Sequence, residues 1–318
     1  MIERYIDFLG MNDTIKLLEA NERPLTPAIR INTLKIGVSE LKRRLESKGF
    51  QLEPIEWVPY SFKVLNEPLN LGSLHEHLLG YFYIQNIASM LPPIILEPKP
   101  NETVIDMCAA PGGKATHLAQ IMNNKGKLIL IERNKNRIPA LEINLRRMGI
   151  RNSTVINLDA INISKLNIKA DKILLDAPCT GEGLIREDKS RKKSKNIKDI
   201  YNMASIQKKL LDAGLNSLKS RGKLLYSTCS IAPEENEKVV NQVLNEKTHF
   251  NISEIKTQYG INGITYIYKN NLIKDLKNAQ RFYPHIHDTI GFFICLISKS
   301  ICISIFCTIF VHNAIYQI

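Results

Sequence analysis

The chain has 318 residues, 44% of them hydrophobic, with a mean hydropathy of −0.13, which excludes a disordered chain and suits a catalytic domain with a smaller accessory one. Its 43 Lys+Arg against 31 Asp+Glu give a net charge of +12 and a pI near 9.3, a balance that points to a polyanionic partner, because cationic patches displace counterions from phosphates. The six cysteines form no Cys-x-x-Cys pair and the N-terminus MIERYIDFLG has no apolar stretch of signal-peptide length, so a reducing, cytoplasmic setting with free thiols is expected.

Residues 1–22 read as one helix with Ile6, Leu9, Ile15 and Leu18 on a rough apolar stripe, broken by Pro24 and Pro27. Ile29–Asn32 reads as a short strand. Val38, Leu41 and Leu45 share a helical face, with Ser39 as a candidate N-cap and Gly49 as a stop. Leu52–Val58 and Phe62–Leu65 follow as strands. Strand, helix, strand, strand is a small α+β unit of the kind that often presents a sheet to RNA; a plain structural extension has the same pattern. From about residue 91 strands and helices alternate. The strand candidates are Thr103–Met107, Lys127–Glu132, Thr154–Leu158, Lys172–Asp176 and Lys223–Ser227. Helical stripes run through Ile138, Leu141, Leu145 and Met148, with Pro139 tolerable only in the first turn, and through Ile206, Leu210, Ala213 and Leu218, stopped by Gly222. Repeated βα units imply an α/β fold with a mostly parallel sheet. Lys189–Lys198 is a basic run with no apolar face, either a solvated loop or a phosphate contact. The expected domains are 1–90, 91–299 and an apolar extension, 300–318, shorter than a confident membrane span.

Four segments carry chemistry. In TVIDMCAAPGGKATHLAQ an apolar strand runs into a loop of small residues and then a helix, whose free N–H groups make a nucleotide-type site at a strand's carboxyl end. Glu132 ends the next strand, roughly 20 residues on, where an acid can hold ribose hydroxyls. Asp159 ends the third strand and suits either an adenine amine or a turn. KILLDAPCTGEG delivers Asp176 and Cys179, and GKLLYSTCSIAPEENE delivers Cys229. If those two strands are neighbours, about 4.8 Å apart, both thiols reach the same edge as the ligand loop. Such thiols suit covalent catalysis: addition of a thiolate to C6 of a cytosine makes C5 enamine-like and able to attack a sulfonium methyl group. A carboxylate such as Asp176 can bind the base at N3 and its exocyclic amine. Strand-end geometry leaves open which cysteine attacks.

Together, CAAPGGK, DAPCTGEG and STCS resemble the RNA cytosine-5 methyltransferases of the Nop/Sun type, including the RsmB branch, over about Ala28 to Ile297. The resemblance implies a Rossmann-like class I methyltransferase domain with a mostly parallel seven-stranded sheet at 91–299, behind a small N-terminal RRM-like α+β RNA-binding domain within 1–90. It implies S-adenosyl-L-methionine as cofactor and RNA as partner, tRNA before rRNA, with no metal and a monomeric state. Residue by residue, it assigns Cys108, Ala109, Ala110, Pro111, Gly112, Gly113 and Lys114 to the cofactor loop, Glu132 to the ribose, Arg137 to a cofactor role and Asp159 to the adenine side. Asp176 falls near both methyl donor and cytosine, Cys229 is the nucleophile and Cys179 assists release. Asn86 and Ile87 stand where many members carry an acid, and Ile290 replaces the Asp of a Thr-Asp-Gly-Phe-Phe ending. His285 with His287, and His75 with His77, lack the Cys or carboxylate partners of a zinc site.

Overall fold

A computed structural model of the chain describes residues 1–194 and 196–300; apart from Ser300, the expected apolar extension lies outside the described residues. The first segment is two helices, α1 (Ile2–Leu9) and α2 (Met11–Glu22), rather than one. Gly10 separates them at φ 79°, ψ 166°, a conformation that favours glycine and ends helical hydrogen bonding. After an extended Pro-containing link come β1 (Ala28–Ile31), α3 (Val38–Glu46), β2 (Gln51–Pro54), β3 (Ser61–Asn66), α4 (His75–Leu78) and β4 (Phe82–Ile84). Gly37, not Ser39, is the N-cap of α3. The four strands form one antiparallel sheet in the order β2-β3-β1-β4. One face of it buries Ile29, Ile31, Phe62, Val64 and Phe82 against Leu41 and Leu45 of α3. On the other face, fully buried Arg30 reaches into the second domain.

That domain begins with α5 (Ile87–Leu96), which straddles the expected boundary at residue 90. It continues through β5 (Thr103–Asp106), α6 (Gly113–Ile121), β6 (Lys127–Glu132), α7 (Ile138–Met148), β7 (Ser153–Asn157), β8 (Ala170–Asp176), α8 (Arg191–Ser194), α9 (Ile197–Asn216) and β9 (Leu218–Thr228). The last part holds α10 (Glu237–Leu244), β10 (Phe250–Ile252), β11 (Ile261–Asn262), the small hairpin β12 (Tyr266–Ile267) and β13 (Asn270–Asn271), then β14 (Gln280–Phe282), α11 (Pro284–His287) and β15 (Phe292–Lys299). Pro139 lies in the first turn of α7, as expected. Leu218 and Gly222 belong to β9 and not to the end of the preceding helix.

The sheet has nine strands rather than seven, in the order β11-β14-β15-β9-β8-β5-β6-β7, with β10 on β15. Strands β5 to β9 are parallel, and β15 runs antiparallel beside β9. The central strands are apolar along their length because helices cover both faces. One layer of core holds Leu118, Leu128, Leu130, Leu174 and Leu225 with α5 and α6, and the other holds Ile129, Ile131, Leu175, Leu211 and Leu215 with α9. Among the described residues no helix is long and apolar enough to cross a membrane. All the parallel strands end at one edge, which fixes where ligand-bearing loops gather.

Candidate active site

β5 ends on Asp106, and the chain turns through Cys108–Gly112 before α6 starts at Gly113. Gly112 sits at φ 109° and its missing side chain leaves room for Leu141, whose Cδ1 would lie 3.1 Å from a Cβ. It serves the turn, and the open N-terminus of α6 faces the loop. β8 and β9 are neighbours in register, with Asp176 opposite Ser227, so the loops carrying Cys179 and Cys229 leave the same edge.

A cavity of about 340 Å³ runs along that edge, within the range of small-molecule sites. Glu132, Arg137 and Asp159 line one end, Cys108 and Ala110 the middle, and Asp176, Cys179 and Cys229 the other. A second cavity of about 210 Å³ shares Cys108, Ala110 and Asp176 and extends past Ala109, Pro111, Gly113 and Lys114 to Tyr83 and Gln85 of the front domain. Gly112 lines neither.

At the first end, Glu132 is 5% exposed. It accepts from the backbone N–H of Asn134 at 2.8 Å and of Ala110 at 3.3 Å. A carboxylate has about four acceptor positions, so capacity is left for ligand hydroxyls. Arg137 donates to the carbonyl of Ala110 at 2.6 Å and lies 3.5 Å from Glu132, which ties the loop to the strand end. Asp159 accepts from Ile161 N–H at 3.1 Å and caps the short 3-10 turn after β7. It is turn-former and cavity wall at once. This end, with its two acids and open helix terminus, fits an adenosine carrying a charged sulfur.

At the other end, Asp176 accepts from Lys114 Nζ at 2.7 Å and from Ser227 Oγ at 2.8 Å. Lys114 in turn lies 5.4 Å from the Phe292 ring centroid. The sulfurs of Cys179 and Cys229 are 3.0 Å apart. The hydrogen bond to Cys229, and then burial, push the Cys179 thiol well above its usual range. Burial, with Asp106 and Asp176 nearby, pushes Cys108 up as well, so the cysteine of the loop is held as a neutral thiol. Burial and the charge of Asp176 raise Asp106 to about 7.

The structure therefore brings together every expected site residue except Gly112, and adds four that sequence reading passed over. Asp106 ends β5 in the second cavity, Ser227 holds Asp176, Glu182 accepts from Arg4 and Tyr5, and Glu235 joins the two cysteine loops. All four stood inside quoted segments, Asp106 in TVIDMCAAPGGKATHLAQ, Glu182 in KILLDAPCTGEG, and Ser227 and Glu235 in GKLLYSTCSIAPEENE, but the segments gave them no role.

Comparison with known proteins agrees with this fold. The chain is 36% identical over 301 residues to the tRNA (cytosine(49)-C(5))-methyltransferase of Pyrococcus abyssi, covering 94% of this chain and 95% of that one. It is 34% identical over 305 residues to the 25S rRNA (cytosine-C(5))-methyltransferase nop2 of Schizosaccharomyces pombe, covering 94% of this chain but only 50% of that relative. Thus the chain spans about half the length of that eukaryotic relative. A solved methyltransferase homolog protein of Pyrococcus horikoshii superposes with a TM-score of 0.85 at 41% identity, covering 93% of each chain. Residues 1–87 match the N-terminal domain of 16S rRNA methyltransferase RsmF. With residues 93–298 matching the family described as 16S rRNA methyltransferase RsmB/F, across the whole of the cavity and both cysteine loops, the chain belongs to that family.

Proposed function

We propose that this chain transfers the methyl group of S-adenosylmethionine to C5 of a cytosine in RNA, with Cys229 as nucleophile and Cys179 assisting release. The observation that carries the reading is a pair of sulfurs 3.0 Å apart in the same cavity as Glu132 and Asp159. When bound, S-adenosylmethionine supplies an electrophilic methyl group on a sulfonium. Glu132 takes the ribose hydroxyls, Asp159 the adenine amine, and the loop 108–114 the rest of the cofactor. The thiolate of Cys229 adds to C6 of the cytosine, forming a C–S bond and moving the C5=C6 electron pair to C5. Asp176, fixed by Lys114 and Ser227, holds N3 and the exocyclic amine of the adduct. C5 would take the methyl group as the sulfonium S–CH3 bond breaks with its electron pair left on the thioether sulfur. A water then takes the C5 proton, the C–H pair restores C5=C6, and the C6–S bond breaks with its pair on the Cys229 sulfur. Cys179, kept as a thiol, stands beside that leaving sulfur and can give it a proton.

For the substrate, tRNA is the first reading, because the chain matches nearly the whole length of a relative named for tRNA. The family description and the S. pombe relative name rRNA, which makes rRNA the second. The test is transfer of tritiated methyl groups to unmodified tRNA and, separately, to unmodified rRNA. Cys229→Ala is expected to abolish incorporation, while Cys179→Ala is expected to accumulate a covalent protein–RNA adduct through Cys229. An adduct anchored at Cys179 would overturn the assignment, and folded, cofactor-binding protein that methylates neither RNA would overturn the activity.

A further inference from the structure

Glu235 lies shortly after Cys229 and its side chain is completely buried. Its partners are hydroxyls and amides. Oε1 accepts from the Thr180 backbone N–H at 2.9 Å and from Gln207 Nε2 at 3.1 Å. Oε2 accepts from Thr180 Oγ1 and from Ser230 Oγ, each at 2.6 Å. Thr180 directly follows Cys179, and Ser230 directly follows Cys229. Gln207 also donates to the carbonyl of Pro178 at 2.8 Å, on the other side of Cys179. The Tyr226 hydroxyl donates to the Glu235 carbonyl oxygen at 2.6 Å, which pins the backbone of the carboxylate to β9. One side chain thus grips the residue after each cysteine, and its own support grips the residue before one of them.

We infer that Glu235 is a positioning residue whose carboxylate clamps the two cysteine loops together and so holds Cys179 within reach of the Cys229 sulfur. This rests on the reading that those thiols are the reactive pair. The two loops come from different strands. Past the sheet pairing, a backbone bond from Gly183 N–H to the Cys229 carbonyl at 3.0 Å joins them beside the Glu235 contacts, leaving the backbone N–H and the hydroxyl of Thr180, next to Cys179, to Glu235. A carboxylate accepts from all four partners at once, two of them hydroxyls and two of them N–H groups. Hydrogen bonds to a charged oxygen are short and strong, and they set the spacing more tightly than neutral ones. Buried, fully satisfied polar networks of this kind fix one arrangement at the expense of others.

The experiment uses the full chain as wild type, Glu235→Gln, Cys179→Ala and Cys229→Ala. In Glu235→Gln the amide oxygen can still face Thr180 N–H, and both hydroxyls can rotate to accept, so the fold has a way to survive while the grip loosens. Dibromobimane, which fluoresces after joining two neighbouring thiols, reads the spacing without RNA. Wild type is expected to cross-link, either cysteine variant to lose the signal, and Glu235→Gln to lose most of it. With tritiated cofactor and unmodified tRNA, Glu235→Gln should keep the wild-type KM for S-adenosylmethionine and lose kcat by on the order of tenfold or more. The covalent adduct should persist as it does in Cys179→Ala, an outcome that loss of stability alone does not give. Wild-type cross-linking with wild-type adduct lifetime in folded Glu235→Gln overturns the inference. Should that variant not fold, Thr180→Val removes one hydroxyl donor and must show the same weaker cross-linking and slower release; its behaving as wild type overturns the inference equally. If wild type methylates no RNA, the functional reading fails and the cross-linking arm alone decides the clamp.

Discussion

A carboxyl group at the end of β5 shows how far a single residue's behaviour depends on its surroundings. Asp106 is 1% exposed, and burial with Asp176 beside it raises its pKa from 3.8 to about 7. A folded-state pKa above the unfolded one means the native state binds the extra proton, so this group's contribution to stability is present at low pH and lost as pH rises from 3.8 to about 7. The loss is on the order of 4 kcal/mol for the ligand-free protein. Asp106→Asn keeps the acceptor for the Cys108 N–H, which lies 3.2 Å from Oδ1, and removes the titration. Thermal unfolding at pH 5 and pH 8 should show the variant more stable than wild type at the higher pH and nearly equal at the lower. Equal pH slopes would refute it. Cys179, Cys229 and Asp176 were legible in the sequence because each sits in a short motif at a strand end. Asp106 and Glu235 were not, because an acid in a sequence carries no sign of whether it will be buried or what will face it.

The helices of the N-terminus belong energetically to the two cysteine loops. Arg4 of α1 meets Glu182 at 2.7 Å, with side chains 7% and 3% exposed, and Tyr5 donates to the same carboxylate at 2.9 Å. Tyr5 and Leu17 pack with Ile231 and Tyr283. The turn after Cys179 is thus held from outside by α1. Burial pushes Glu182 up even with Arg4 beside it. Removing Arg4 leaves a buried, unpaired charge, and breaking such a pair costs about 3–5 kcal/mol. Arg4→Ala should lower stability by that order in chemical denaturation at pH 8, and by less at pH 5, where Glu182 can take up a proton. A loss below about 1 kcal/mol at pH 8, the range of an exposed pair, would show that the tie is not made. Most elements were readable from period and breakers, yet their ends were not. Gly10 splits a stripe that looks continuous, and Leu218 continues a helical spacing while pairing with Ala170 in the sheet. The three-residue β4 carries no pattern of its own and exists because β1 offers it an edge.

For the whole molecule, charge and domain contact matter most. Arg30 leaves the front sheet and donates to Thr116 at 2.9 Å and Gln120 at 2.6 Å on α6, so the front domain braces the helix that follows the loop at the end of β5. Burial holds Arg30 down at about 10. The basic run has two parts. Lys189 and Lys192 pair with Glu22 at the end of α2, and Arg191 reaches the cavity wall. Among the described residues of the run, Lys193 and Lys198 are exposed and are left for phosphates. If they meet RNA, Lys193→Gln with Lys198→Gln should reduce the slope of log affinity against log salt by about 0.7 per lost contact on single strands. An unchanged slope in filter binding would return the run to a solvated face.

By itself the sequence determined the family, a mostly parallel sheet and which candidate side chains stand at strand ends, because motif and period are local properties. Only the tertiary structure decided that Cys179 and Cys229 touch, that Lys114 and Ser227 converge on Asp176, that Glu235 spans two loops, and that α1 and Arg30 brace the site. Those contacts join residues far apart in the chain, and their strength comes from burial, which no local pattern encodes.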